Sequence, residues 1–278
     1  MDASSSKKTE KESPHESAPP PPMILKRFEK RSSVASHPEV QVQVPAGWKV
    51  ISGGGMVEYG GAGALLTKSM PLVVDGVPRG WMAASKDHLV VDPGYITAYA
   101  VALYDPTNLW KVIVNETELG TPQQHPVVTV QLEDSYALVG GGAYDMYAEP
   151  GNLLVASRPG DDGKSWIAGG KDHLVVSPAN IKAYAIGLRS VLFGKPNCSL
   201  KSATSAMAQH PSQTITASPG RVIVGGGAAV SRGGAGNMLV GLVPSCNGSN
   251  FQGMAKDHLV VDPQQLTVYA IECTNVVM

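Results

Sequence analysis

Histidine and aspartate carry much of the acid–base and metal chemistry open to a protein at neutral pH, and in this chain both recur at a fixed interval. Lys86-Asp87-His88-Leu89-Val90-Val91 returns as Lys171-Asp172-His173-Leu174-Val175-Val176 and again as Lys256-Asp257-His258-Leu259-Val260-Val261, with 85 residues between copies. A second histidine accompanies each copy, in the pairs His37-Pro38, His125-Pro126 and His210-Pro211. Six of the seven histidines therefore belong to one of two repeated motifs. An Asp next to a His, with another His in the same unit, is the raw material of three equivalent metal or acid–base sites. Three equivalent histidines converging on one axis would instead bind a single shared ion.

Strand geometry pulls these residues apart. Adjacent residues on a strand point to opposite faces, so Asp87 and His88 share a pocket only where the strand bulges or ends. The competing reading gives the Asp to backbone N–H groups in a turn and lets the His donate from a ring nitrogen to a carbonyl. Triplication argues the same way: duplicated copies of a single active site are free to drift, yet all three Lys-Asp-His elements are intact. Three kept copies suit a structural role or a multivalent surface whose weak sites gain avidity together. No catalytic residue, metal ligand or cofactor is assigned. The candidate ligand-binding residues are Asp87, His88, Asp172, His173, Asp257 and His258, together with Trp81 and Trp166, whose rings could stack a sugar if exposed.

A strict long period means copies of one supersecondary unit, so the elements are read per copy. Each copy runs from its His-Pro pair into an alternating strand such as Val40-Gln41-Val42-Gln43-Val44. A strand ending in three glycines follows: Gly53-Gly54-Gly55, Gly140-Gly141-Gly142, Gly225-Gly226-Gly227. Then come a turn glycine, a Leu-Leu or Met-Leu pair closing at proline, an aromatic (Trp81, Trp166, Phe251), and a last strand such as Ile96 to Val101. β-branched alternation without helical periodicity predicts an all-β fold of three units of about 85 residues, with boundaries at 34–107, 121–193 and 206–278. The intervening stretches, Asn108 to Gly120 and Gly194 to Ser205, have room for an extra strand such as Trp110 to Val114. Three tandem small β-sandwiches would satisfy this pattern. Short linkers and units near the size limit for standing alone favour a compact pseudo-threefold, β-prism-like body. The glycine triplets lack a following Gly-Lys-Ser/Thr and a helix, so they read as bulges or close backbone contacts rather than phosphate cradles.

A net charge of -1 over 278 residues argues against a basic face for nucleic acid, and no apolar run is long enough for a membrane-spanning helix. Residues 1–33, polar and broken by Pro19-Pro20-Pro21-Pro22, read as a disordered tail without the features of a secretory signal. That places the protein in the cytoplasm, where Cys198, Cys246 and Cys273 are expected reduced, Cys273 as a small core residue matching Leu103 and Leu188.

The order Pro45-Ala46-Gly47, Gly53-Gly54-Gly55, Ser69-Met70-Pro71, Trp81 and Tyr99-Ala100-Val101 resembles small all-β modules of bacterial surface and phage-associated proteins. The threefold layout is similar to β-prism proteins of the vitelline-membrane outer-layer and lectin types. The resemblance implies an all-β fold and glycan binding in some relatives, while the sugar-binding signatures of prism lectins are absent. The expected function is a non-enzymatic, soluble, lectin-like binding protein with up to three equivalent weak sites for a glycan or other small ligand. The alternatives are a hydrolase or cyclase using the Asp and His of one unit, and an interaction scaffold recruiting a partner through Pro19 to Pro22.

Overall fold

The computed structural model describes residues 20–231 and 233–278. The first unit contributes β1 (Met23–Arg31), β2 (Glu39–Gln43), β3 (Trp48–Glu58), β4 (Leu65–Val74), β5 (Val77–Lys86) and β6 (Tyr95–Tyr104). The second repeats the order with β7 (Trp110–Glu118), β8 (Val127–Gln131), β9 (Ala137–Met146), β10 (Asn152–Pro159), β11 (Ser165–Asp172) and β12 (Asn180–Ser190). The third has β13 (Cys198–Thr204), β14 (Ser212–Thr216), β15 (Val222–Val230), β16 (Asn237–Pro244), β17 (Asn250–Asp257), β18 (Leu266–Cys273) and the short β19 (Val276–Val277). The fold is all-β, and among the described residues no helix is long and apolar enough to cross a membrane.

Strand sharing decides the architecture. The three sheets run β2-β5-β4-β9-β12-β7, β8-β11-β10-β15-β18-β13 and β14-β17-β16-β3-β6-β1-β19. Each therefore joins the second, fifth and fourth strands of one unit to the third, sixth and first of the next. Residues from all three units form one continuous hydrophobic cluster. Tandem sandwiches are excluded, because no unit holds a sheet of its own.

Period-2 alternation builds the outer strands: Val40 and Val42 of β2 turn inward while Glu39, Gln41 and Gln43 face solvent. The central strands β3, β9 and β15 are buried on both faces instead. Their register places Ser52, Gly140 and Gly225 together where the three strands meet. A Cβ on Gly140 would collide with Ile51 O and Ser52, and one on Gly225 with Val139 O, so Ser52 holds the only side chain that fits; its Oγ donates to Val224 O. The equivalent glycine pair is thus Gly53-Gly54, Gly141-Gly142 and Gly226-Gly227, one position off the triplet read from the sequence. A Cβ on Gly53, Gly141 or Gly226 would strike the ring of Trp81, Trp166 or Phe251. Each bare backbone is the bed on which an aromatic lies, the close approach that glycine permits.

Three expectations are corrected. Residues 23–31 of the predicted disordered tail form β1, which pairs antiparallel with β6 and, through Met23 and Ile24, parallel with β19. The Pro20 and Pro21 carbonyls accept from Asn275 Nδ2, while Pro19 and residues 1–18 lie outside the described residues. The extra strand expected at Trp110 to Val114 is present as β7, with β13 in the matching stretch, but both belong to the units that follow, so each unit begins a strand earlier than drawn. Finally, Cys198 and Cys273 are joined in a disulfide rather than reduced. They face each other across β13 and β18, where the other units pair Leu25 with Leu103 and Val112 with Leu188. Cys273 is fully buried as expected, and cross-linking over a separation of 75 residues stabilises the fold by about 4 kcal/mol on loop-closure grounds.

Candidate functional site

Both histidine motifs come to one end of the body. β5, β11 and β17 stop at Lys86, Asp172 and Asp257, so the repeated element begins as strand and ends as loop. Main-chain bonds tie the His-Pro segment to it: Asp87 N donates to Ser36 O, Asp172 N to Gln124 O and Asp257 N to Gln209 O, each at 2.8 Å.

Beyond the strand end, Asp and His part company. Asp87 Oδ2 accepts from Asp92 N at 2.8 Å, and Asp172 and Asp257 accept from Ser177 N and Asp262 N at 3.2 Å, closing the loop between them. The histidines turn inward and link head to tail. His88 Nε2 lies 2.7 Å from His173 O, His173 Nε2 lies 2.7 Å from His258 O, and His258 Nε2 lies 2.6 Å from His88 O. Ring centroids are 5.4 to 5.5 Å apart. The Nδ1 atoms face a second set of carbonyls, Pro150 O at 3.0 Å, Ala235 O at 3.0 Å and Ala62 O at 2.7 Å, each on the next unit.

The lysine two residues back shares the histidine's face and grips the same loop. Lys256 Nζ donates to Gly61 O, Ala62 O and Gly63 O at 3.2, 2.7 and 2.6 Å, and sits over the Tyr59 ring. Lys86 Nζ donates to Glu149 Oε2 at 3.0 Å and to Pro150 O, over the Tyr147 ring. Lys171 is less buried and donates to Gly234 O at 3.1 Å. Burial pulls Lys256 down to about 8 and lowers Lys86, against the pull of Glu149. The Lys-x-His pair is a clasp from each unit onto the next.

This arrangement leaves no ring nitrogen for chemistry. All six ring nitrogens of the clasp face carbonyl oxygens, whereas three neutral imidazoles carry only three N–H groups. Burial lowers His173 and His258 from the ordinary value, against the hydrogen bonds to Ala235 O and His258 O and to Ala62 O and His88 O, which raise them. The three rings do converge, but not as ligands: a lone pair aimed at a carbonyl is not aimed at an ion. Among the described residues no group of three or more His, Cys, Asp or Glu is placed to hold a metal.

The outer histidines are exposed and meet carboxylates: His125 Nδ1 is 3.6 Å from Asp172 Oδ1, His210 Nε2 is 3.3 Å from Asp257 Oδ1, and His37 Nε2 is 3.9 Å from Glu149 Oε1. Asp87 Oδ1 is buried without a hydrogen-bond partner. Trp81 and Trp166 are fully buried, with Nε1 donating to Ser69 Oγ and Ser157 Oγ, both at 3.1 Å. They cannot stack a sugar, and the expectation that they bind ligand is withdrawn.

A β-branched run such as Leu-Val-Val favours continuing strand, and here the structure departs most from the sequence pattern. Leu89, Leu174 and Leu259 have φ of 61°, 61° and 60°, with Val90 N donating to His88 O at 2.8 Å and the equivalent bonds at 2.7 Å. A three-residue hydrogen-bonded turn about a positive-φ leucine is a rare and strained γ-turn. It throws all nine Leu and Val side chains outward. Val91, Val176 and Val261 are 79%, 68% and 71% exposed, while the histidines three residues earlier are 1% exposed. Because the three turns spring from the histidine cycle, the nine side chains surround one axis as a single apolar cap. Nine aliphatic residues in a motif repeated without change were the available signal; their period-2 reading concealed it.

One residue breaks the threefold pattern inside the body. Asp145 of β9 occupies the position of Val57 and Val230 and is fully buried, with neither carboxyl oxygen hydrogen-bonded. Burial raises it well above the ordinary carboxylate value, against the pull of Lys86 nearby. A Cβ on Gly170 would touch both Asp145 Oδ2 and Asn152 Oδ1, which places the acid beside an amide oxygen that has no donor.

No protein-family model matches this chain, and no curated protein matches it. Among solved structures, alignment over 92% of this chain and 91% of the other is found with a protein described as "The Triple Jelly Roll Fold and Turret Assembly in an Archaeal Virus", at 10% identity and a TM-score of 0.17. A superposition at that level carries no argument about function.

Proposed function

We propose that this chain is a non-enzymatic binding protein whose working face is the apolar cap formed by Leu89, Val90, Val91 and their counterparts. The observation that carries this reading is the exposure of nine aliphatic side chains on three strained turns. Each strained backbone costs on the order of 1 kcal/mol or more and contributes nothing to the core. Contiguous apolar patches of this kind mark interaction sites on soluble proteins. The Lys-Asp-His element beneath supports the reading, since its clasps hold the turns rigid and its ring nitrogens are committed to carbonyls. A polar sugar finds few partners on Leu and Val, so the ligand of this face is apolar rather than a glycan. The Cys198–Cys273 disulfide fits work in an oxidising compartment better than in the cytoplasm.

The test compares the chain with the V91D/V176D/V261D variant on an alkyl matrix, at a protein concentration low enough to keep copies apart. Retention of the parent and loss of retention in the variant, with an unchanged thermal transition, is the expected result. Equal retention would discard the cap as the working face.

A further inference from the structure

We infer that the partner of the cap is a second copy of this chain, docked end to end. The inference rests on the cap being the working face, and three features select this occupant.

The first is symmetry. Three equivalent turns around one axis are matched in full only by a partner presenting three equivalent contacts at the same spacing. The cap of another copy has that pattern by construction, and an interface that uses the same patch on both subunits is the commonest way for chains to pair.

The second is chemistry. None of the nine side chains is aromatic, and among the described residues the lysines beneath the turns point into the clasps, Lys86 and Lys256 buried and Lys171 half-buried. A lipid-facing surface characteristically carries Trp or Tyr at headgroup depth and exposed basic residues around it. The core of a homodimer interface, by contrast, resembles a protein interior.

The third is the rim. Around the cap the exposed His37, His125 and His210 lie 3.3 to 3.9 Å from Glu149, Asp172 and Asp257. Two such rims placed face to face bring imidazoles and carboxylates of both copies together at the edge of the apolar contact. Rigid turns fixed by the histidine cycle add to this, because little freedom remains to be lost on docking.

Sedimentation equilibrium of the full chain and of V91D/V176D/V261D tests the proposal. The parent is expected at twice the 29.0 kDa chain mass and the variant at the single mass. A parent that stays single at its highest soluble concentration overturns the proposal, as does a variant that still pairs, which would place the interface elsewhere. Flotation with phosphatidylcholine vesicles separates the two levels. A single-mass parent that floats while the variant does not keeps the cap as working face and replaces the second copy with lipid. If the aspartates unfold the chain, V91S/V176S/V261S replaces them, with the same expected masses.

Discussion

Two rings of histidines share one end of this molecule. The inner ring, His88, His173 and His258, is 1% exposed, and every nitrogen is turned to a carbonyl. The outer ring, His37, His125 and His210, keeps side chains 48%, 60% and 61% exposed, each against a carboxylate at 3.3 to 3.9 Å. Both rings come from motifs repeated three times in the chain, but only the outer one approaches carboxylates. The contrast teaches that repetition of a chemically capable residue does not locate chemistry: burial and the commitment of lone pairs decide it. The inner ring has become architecture, and the outer ring is left to meet solvent or a partner.

The comparison is broken most directly by single truncations. His173→Ala removes the ring that bridges the carbonyls of His258 and Ala235 and opens a hole on the axis, so urea unfolding should report a loss of about 3 kcal/mol. His125→Ala should change stability by no more than about 0.5 kcal/mol, as for other exposed positions. Equal losses at the two positions would erase the distinction between the rings.

The lysines sharpen it at somewhat smaller scale. Lys256→Met removes the donor shared by three loop carbonyls and should cost about 2 kcal/mol in the same assay. Lys171→Met, at the less buried clasp, should cost less than about 1 kcal/mol.

Acidity gives two opposite slopes. His173 and His258 have folded values below the ordinary 6.5, so their contribution is present above that pH and is lost as pH falls through the lowered folded values. Thermal transitions recorded downward from pH 8 should fall, and less so in His173→Gln, whereas the slope should survive in His125→Gln. Asp145 behaves in the reverse sense. Its folded value is raised, so stability is fully present below the ordinary 3.8 and declines as pH rises toward the folded value. Asp145→Asn should therefore stabilise the chain by about 1 kcal/mol at neutral pH, with the gain vanishing in acid. A gain independent of pH would mean that the carboxyl is not the titrating group.

Much of the fold is legible in the sequence, for physical reasons that also mark where legibility ends. Val40-Gln41-Val42 alternates as a half-buried strand must, and β2 does. β1 escaped notice because Lys26, Arg27, Glu29 and Lys30 outweigh the inward Met23 and Leu25. Strand sharing was invisible, since a period-2 pattern is the same whether the neighbour belongs to one unit or the next. The pairing of Cys198 with Cys273 likewise follows from cross-strand register, which spacing does not encode. At the site, the reading that gives the Asp to a backbone N–H in a turn fits Asp87, which accepts from Asp92 N, but β5 ends at Lys86, so strand parity does not reach Asp87 and His88. The outward Leu-Val-Val turns were hidden because positive φ at a leucine overrides the local preference that sequence patterns report.

Cyclic strand sharing also has a kinetic side. The sheet holding β3 is completed by β16, where Met56 lies opposite Gly241, partners far apart along the chain. Contacts this remote form slowly, because the entropy of closing so long a loop is lost before any contact offsets it. Until the third unit arrives, one flank of β3 is an unpaired edge that any other strand could occupy. Refolding should therefore be slow and should lose yield as protein concentration rises.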